Sequence, residues 1–416
     1  MTPLVMKFGG TSLADVERIR RVAELVAAEV APGRPLAVVT SAMAGRTNEM
    51  VAWTDAAGRA APGVPDDDAE YDAVVASGEQ VTAGLLAQTL RHAGVPARSW
   101  AGWQVPILTD EAHGKARIAE IPVERLRASL DAGEVAVVAG FQGVTRDGRI
   151  TTLGRGGSDT SAVAVAATLG ARCDIYTDVD GVYTADPRME PRARRLTRIS
   201  HAEMLELAAL GAKVLQTRSV ELAMTHKVPL RVLSSFKATT GGGQVGTIVC
   251  AEEEIMERRV VSGVAYSRDE ARIALLGLPD RVGAAAEVFA ALAAAEVSVH
   301  MIVQSAARAD GAVNLEFTVG RRDAARAAEA MRGAQGAIGF GELRLDEDVA
   351  KVSVVGTGLR SHPGVAETLF RALAERNVRV QAISTSEIAV SVLIEGAYTE
   401  IAVRALHAAF GLDKAD

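Results

Sequence analysis

The sequence predicts an α/β chain: a three-layer α/β/α domain built on a largely parallel sheet, followed by two smaller α+β domains. Three observations carry this expectation. Short apolar strand-like runs alternate with helical segments through residues 1–248. Glycine-rich turns follow several of those runs, as they do at the carboxyl edge of open α/β sheets. The last part of the chain repeats itself. At 416 residues the chain exceeds one ordinary core, and a 49% hydrophobic, 23% charged composition gives ample material to bury. The formal net charge of −7 supplies no basic field for nucleic acid or an anionic membrane, and neither partner is expected.

Leu4–Phe8 reads as a buried strand and Gly9-Gly10-Thr11-Ser12 as the turn after it. Ser12 and Asp15 read as a capping box for a helix with Val16, Ile19, Val22, Ala23, Val26 and Val30 at helical spacing. Lys7 then stands at a strand's carboxyl end beside a helix start, where a mobile cation suits a phosphate and where a snorkelling lysine is equally at home. Leu36–Thr40 is a second strand, ending in Ser41 through Thr47. Ser77-Gly78-Glu79 opens a helix running through Leu86, in which an early acid is favoured by the dipole alone. Val135–Phe141 is a third strand, and Asp147-Gly148 marks a hairpin.

The segment Leu153-Gly154-Arg155-Gly156-Gly157-Ser158-Asp159-Thr160-Ser161 crowds three glycines with an arginine, a serine and an aspartate ahead of the apolar helix from Ala162. Ser158 or Asp159 is placed to cap that helix. A glycine-rich turn at a helix start is a natural anion site, although glycines needed only for backbone angles would look the same. Cys173–Asp178 gives another strand, and Val179–Arg188 mixes acids, Tyr183 and Arg188 in a turn-rich frame suited to a nucleotide. Ser200-His201-Ala202-Glu203 is a further capping box, its helix leading to Gly211 and Lys213, and Pro229–Leu233 closes the series of strands. Cys173 and Cys250 lack metal-site spacing and read as reduced thiols, and no metal site is expected from protein side chains. With no secretory-signal pattern after Met1, a cytoplasmic location is expected.

No GxxxxGK[ST] run occurs, and Asp159 stands where a dinucleotide fingerprint would end in glycine. Two lysines, two glycine turns and several acids still suit phosphoryl transfer, which needs mainly alignment and charge neutralisation. Met6-Lys7-Phe8-Gly9-Gly10-Thr11-Ser12, Ser77-Gly78-Glu79, the Gly154–Asp159 turn, Thr177-Asp178 through Arg188, and Gly211-Ala212-Lys213 occur together and in order. This set closely resembles the aspartate kinases of the amino-acid kinase superfamily, over essentially the whole chain. The resemblance implies transfer of the ATP γ-phosphoryl group, with Mg²⁺, to the β-carboxylate of L-aspartate, the first step towards lysine, threonine and methionine. It assigns phosphate neutralisation to Lys7 and Lys213, amides for the transferred group to Gly9 and Gly10, and orientation of Lys7 to Asp159. It makes Arg155 the clamp on the α-carboxylate and Glu79 the acceptor of the ammonium, with Ser41, Thr47 and Ser158 as further aspartate contacts. Thr177, Asp178, Tyr183, Arg188 and Lys213 match its nucleotide-binding positions.

Beyond a connector at 249–260, aligning Gly283 with Gly364 superposes Phe289 on Phe370, Leu292 on Leu373, Val299 on Val380 and Ile302 on Ile383. The copies, about 270–345 and 350–413 within 261–416, resemble tandem ACT domains, the amino-acid sensors of biosynthetic enzymes. That likeness makes lysine, threonine or both the feedback effectors, with Asp280, Gln304, Ser361, His362, Ser384, Thr385 and Glu387 at effector positions. Ser305 and Ala306 depart from the pattern after Gln304, which puts binding at the first copy in question. On the family pattern Val260–Tyr266 pairs with the second copy, and Met256 lies where relatives begin a separate regulatory subunit. A homodimer or an α2β2 assembly is expected. A catalytically silent sensor and a superfamily kinase for another carboxylate remain the alternatives.

Overall fold

The computed structural model describes residues 2–30, 33–58, 68–212, 214–237, 246–255, 259–305 and 311–414; the side chains of Arg360 and Ser361 are not described. Two compact units divide the chain. The first comprises Met1–Val182, Arg195–Ala208 and Lys213–Met256; the second comprises Tyr183–Arg194, Ala209–Ala212 and Glu257–Asp416. The division therefore takes the 183–194 segment out of the 1–248 stretch and groups it with the C-terminal part. Lys213, the Thr239–Gly243 loop, Met256 and Ala306 lie outside the described residues.

In the first unit the strands are β1 (Leu4–Phe8), β2 (Leu36–Thr40), β3 (Ala97–Trp100), β4 (Leu108–Thr109), β5 (Ile118–Glu120), β6 (Val135–Ala139), β7 (Gln142–Val144), β8 (Ile150–Thr152), β9 (Arg172–Thr177), β10 (Arg198–Ser200), β11 (Leu230–Ser234) and β12 (Thr247–Cys250). Its helices are α1 (Val16–Val30), α2 (Arg46–Ala56), α3 (Asp68–Val75), α4 (Ser77–His92), α5 (Glu124–Asp131), α6 (Gly157–Leu169), α7 (His201–Ala209) and α8 (Thr217–His226). The main sheet runs β10-β12-β11-β9-β1-β2-β6-β3 and is parallel except where β12 opposes β11. β1, β2 and β6 are buried along their whole length. That is the pattern of parallel strands covered by helices on both faces. Leu4, Met6 and Phe8 pack with the apolar stripes of α1 and α4. Side chains alternate along a strand, so Lys7 points to the opposite face, where α6 lies. A small sheet, β5-β4-β7-β8, carries the Asp147-Gly148 hairpin, with Gly148 at φ 91°.

Two caps differ from expectation. Asp15 alone caps α1, its carboxylate accepting the Arg18 amide at 2.8 Å, while Ser12 sits in a 3₁₀ turn with its hydroxyl 2.7 Å from that of Ser235. α6 begins at Gly157 after a left-handed Gly156, so Ser158 and Asp159 lie within its first turn and neither caps it. The Ser200–Glu203 capping box is present in both directions, at 3.2 Å each way. Cys173 and Cys250 are free, buried thiols.

The second unit contains β13 (Gly263–Pro279), α9 (Ala284–Ala294), β14 (Val299–Gln304), β15 (Ala312–Val319), α10 (Ala324–Ile338), β16 (Glu342–Val355), α11 (Gly364–Ala374), β17 (Val380–Thr385), β18 (Ala389–Glu395) and α12 (Thr399–Ala409). One six-stranded sheet, β14-β15-β13-β16-β18-β17, serves both copies. The long strands are shared: Gly263–Ser267 of β13 pairs with Val355–Lys351, inside the second copy, before β13 continues into the first. Val261 and Val264 join Leu369, Leu373 and Leu406 in the second core, which bears out the expected pairing of Val260–Tyr266. The 183–194 segment is built into that same core through Ala185, and the buried Thr184 hydroxyl lies 2.9 Å from Nε2 of a buried His407. No described helix is long and apolar enough to cross a membrane.

Candidate active site

Register places five strand ends on one rim. Phe8 pairs with Thr40 and with Tyr176, Thr40 with Ala139, and Tyr176 with Leu233. The turns leaving β1, β2, β6, β9 and β11 therefore open at the same edge, where ligands bind in open α/β sheets.

Lys7, one residue from the end of β1, is only 8% exposed, and its Nζ lies 2.6 Å from Oδ1 of Asp159 in the first turn of α6. A lysine so placed is fixed in position by a carboxylate and by the strand itself. The Gly9 amide donates to the Tyr176 carbonyl at 3.3 Å, tying the start of the turn to the end of β9. A Cβ on Gly9 would sit in ordinary contact with Lys7 Nζ, at 3.5 Å, so this glycine adjoins the lysine head. Gly10 comes within reach of the turn after β2, a Cβ on it meeting the Ala42 carbonyl at 2.9 Å. In that turn Ser41 is half-buried, with its amide bonded to the Phe8 carbonyl, and Thr47 lies half-buried in the first turn of α2.

Glu79 is 3% exposed in the first turn of α4 and accepts the Ala42 amide at 2.9 Å through Oε1, while its buried Oε2 has no partner among the described residues. Desolvation dominates over that hydrogen bond and raises the Glu79 pKa to about 7. A carboxylate buried with one oxygen unmatched is poised to receive a cationic donor.

The turn between β8 and α6 needs its glycines. Gly154 and Gly156 have φ of 74° and 71°, and a Cβ on Gly156 would lie 2.3 Å from Cγ of Gln216. Gly157 packs on the ring of Phe141, itself held at φ 67°, and a Cβ on Gly140, just past β6, would lie 3.1 Å from the Ser158 Cα. Gly156→Ala is expected to destabilise the protein by about 1–3 kcal/mol through left-handed strain, with the clash against Gln216 added; thermal unfolding of the variant measures it. Arg155, between these glycines, is exposed and has no partner among the described residues. Ser158 is buried beside Asp159.

Thr177 ends β9 with its hydroxyl on the exposed Asp178 carboxylate at 3.0 Å. The rim thus gathers Lys7, Gly10, Ser41, Glu79, Ser158, Asp159 and Thr177. Tyr183 and Arg188 fall in the second unit, where the exposed Arg188 forks onto Asp186 at 2.9 and 3.1 Å. Of the effector positions, Asp280 is exposed in the loop between β13 and α9, and Gln304 ends β14. The exposed His362 holds the Gly358 carbonyl at 2.9 Å; Ser384 and Thr385 end β17, and Glu387 lies in the turn to β18. Ser305 exchanges two 2.9 Å hydrogen bonds with Asn314, using its hydroxyl within the hairpin.

Sequence reasoning passed over Gly140, Asp72 and Arg218. Asp72 is fully buried on α3 and accepts the Gly114 amide at 3.0 Å, His113 Nδ1 at 2.9 Å and the Thr152 hydroxyl. Arg218 donates to the Leu153 carbonyl at 2.6 Å and the Ala116 carbonyl at 2.8 Å. Its proximity in sequence to Gly211-Ala212-Lys213 was the one available signal. Among the described residues no group of three or more His, Cys, Asp or Glu side chains could hold a metal ion.

Residues 2–234 match the amino acid kinase family, and residues 273–335 and 352–410 match the ACT domain. The aspartokinase of Pseudomonas aeruginosa is 52% identical over 99% of this chain and 98% of its own length. That of Mycobacterium tuberculosis is 44% identical over 99% and 97%. Among solved structures, E. coli aspartokinase III in complex with aspartate and ADP matches with a TM-score of 0.79 at 28% identity, covering 98% of this chain and 99% of the other. Its complex with lysine and aspartate matches with a TM-score of 0.77 at the same identity and coverage. With its kinase fold, its rim of a buried lysine and carboxylates, and its paired ACT modules, this chain belongs to the aspartate kinases of the amino acid kinase family.

Proposed function

We propose that the rim aligns ATP and L-aspartate for direct transfer of the γ-phosphoryl group to the β-carboxylate, giving 4-phospho-L-aspartate and ADP. The observation that carries this is the buried Lys7–Asp159 pair, set in the same helix start that Arg155 precedes. Arg155 takes the α-carboxylate with its planar fork and Glu79 takes the ammonium, which leaves the β-carboxylate free to face the phosphate. Ser41, Thr47 and Ser158 line the aspartate side. Lys7 neutralises charge on the transferred group, and Asp159 holds it there without acting as a base, because the attacking carboxylate is already ionised. Lys213, Thr177, Asp178, Tyr183 and Arg188 belong to the nucleotide side of this reading. The donor set fits Mg²⁺ carried mainly on the ATP phosphates, which it would charge-neutralise, with the exposed Asp178 a candidate carboxylate at the rim.

The ACT modules are read as feedback sensors. Lysine is the first effector to test, given the lysine complex of the E. coli relative; threonine, alone and with lysine, completes the panel. The same reading makes the enzyme cytoplasmic and either a homodimer or an α2β2 assembly, which light scattering resolves. Trapping the acyl phosphate as a hydroxamate in the presence of ATP and Mg²⁺ tests the activity. Product from aspartate well above that from glutamate or N-acetylglutamate supports the reading; equal yields reject it. Arg155→Lys is expected to raise the aspartate KM about tenfold or more with the ATP KM little changed, through loss of the fork. A rise in the ATP KM instead would remove Arg155 from the aspartate side.

A further inference from the structure

We propose that Arg218, at the start of α8, is a positioning residue that aims Arg155 at the aspartate carboxylate by holding the backbone of the 153–157 turn. The proposal rests on the reading of Arg155 as the clamp. Arg155 has no side-chain partner among the described residues, so its direction is set by the backbone that bears it. That backbone is held from two sides. On one, the Arg218 guanidinium reaches the carbonyls of Leu153 and Ala116 at 2.6 and 2.8 Å, and Gln216 closes on Gly156 so tightly that no Cβ fits between them. On the other, buried Asp72 fixes the Gly114 amide at 3.0 Å, and the Gly114 carbonyl lies 3.2 Å from where a Cβ on Gly154 would be. The Ala116 amide in turn bonds to the Thr152 carbonyl at 2.9 Å, so both Arg218 acceptors belong to one pinned piece of backbone.

Two carbonyls approached from one planar group call for arginine; a lysine ammonium at the end of a flexible stem cannot hold both in a fixed fork. Arg218 also follows Lys213 by a few residues. A misplacement of about 1 Å at a binding group can cost on the order of 10²-fold, so a residue that touches no substrate can still control aspartate affinity.

The test is steady-state kinetics of the full chain carrying Arg218→Gln, Arg218→Lys or Asp72→Asn, with aspartate and ATP varied separately and thermal unfolding recorded alongside. The expected result is an aspartate KM raised about tenfold or more with the ATP KM within about twofold, for each variant that folds. In an Arg155→Ala background, Arg218→Gln should add no further rise, because the route through Arg155 is already gone. An unchanged aspartate KM, multiplicative effects in the double variant, or a fall in kcat alone that tracks lost folded protein would each overturn the positioning role. If Arg155→Ala itself leaves the aspartate KM unchanged, the clamp reading fails first. A normal Arg155 response with a flat Arg218 response refutes the positioning alone.

Discussion

Lys7→Met is expected to lower kcat by about 10²–10³-fold, a loss of about 3–4 kcal/mol of transition-state stabilisation. The lysine is the one described cation held in the interior of the rim, and its position is preset by Asp159 at 2.6 Å. Burial adds a second consequence that a strand-end lysine in solvent would not have. Removing one partner of a buried pair leaves the Asp159 carboxylate uncompensated, at a stability cost of about 3–5 kcal/mol. The double variant Lys7→Met/Asp159→Asn separates the two effects. It should regain most of the lost stability in thermal unfolding while turnover stays low. Recovery of turnover in the double variant would show that Lys7 serves the fold and not the phosphoryl group.

Glu79 sets the second large effect, and it has a pH signature. With a pKa raised to about 7 by desolvation, the side chain is protonated on the acid side and cannot accept an ammonium ion there. The aspartate kcat/KM should fall about tenfold per pH unit below about 7, in a limb that Glu79→Gln abolishes. At pH 8 the glutamine variant should lose about 10–100-fold in aspartate kcat/KM, the worth of a hydrogen bond to a charged group. Stability moves the other way. The folded pKa lies above the unfolded value, so the folded state binds more protons between the two. Stability is fully present below the ordinary glutamate range and falls as pH rises to about 7, by on the order of 3 kcal/mol. Glu79→Gln removes that fall, so its unfolding temperature should gain on the wild type as pH increases from 5 to 8. A pH-independent gap between the two proteins would mean that Glu79 is already ionised in the folded state.

The central strands of the main sheet were legible because they are short, mainly apolar runs, as in Leu4–Phe8, Leu36–Thr40 and Val135–Ala139, whereas the edge strands Ala97–Trp100 and Arg198–Ser200, short and half polar, were not. The repeat was legible because two copies of one module place Phe289 and Phe370, or Leu292 and Leu373, at equivalent depths. Lys7, Glu79 and Arg155 stood out because a charge beside a glycine turn at a strand end has few structural reasons to be there. What periodicity could not give were contacts made across long stretches of chain. Arg218 reaches Leu153 and Ala116, and Asp72 reaches Gly114 and Thr152, yet each looks like an ordinary surface charge on a short helix. The helix caps were misread for a related reason. Ser12 has the residue type of a cap, but its hydroxyl is taken by Ser235 far along the chain. The packing of the 183–194 segment was not legible either, since nothing in its turn-rich composition signals that Thr184 and Ala185 are buried with His407 and Leu406 in the second unit.

The measurement that bears most directly on the central claim is a crystal structure of the protein with L-aspartate, Mg²⁺ and a non-hydrolysable ATP analogue. The account predicts an aspartate β-carboxylate oxygen in line with the γ-phosphorus at about 3–3.5 Å, Lys7 Nζ on the transferred group and the Arg155 fork on the α-carboxylate. Aspartate bound away from the 153–157 turn, or a γ-phosphate out of reach of Lys7, would contradict it.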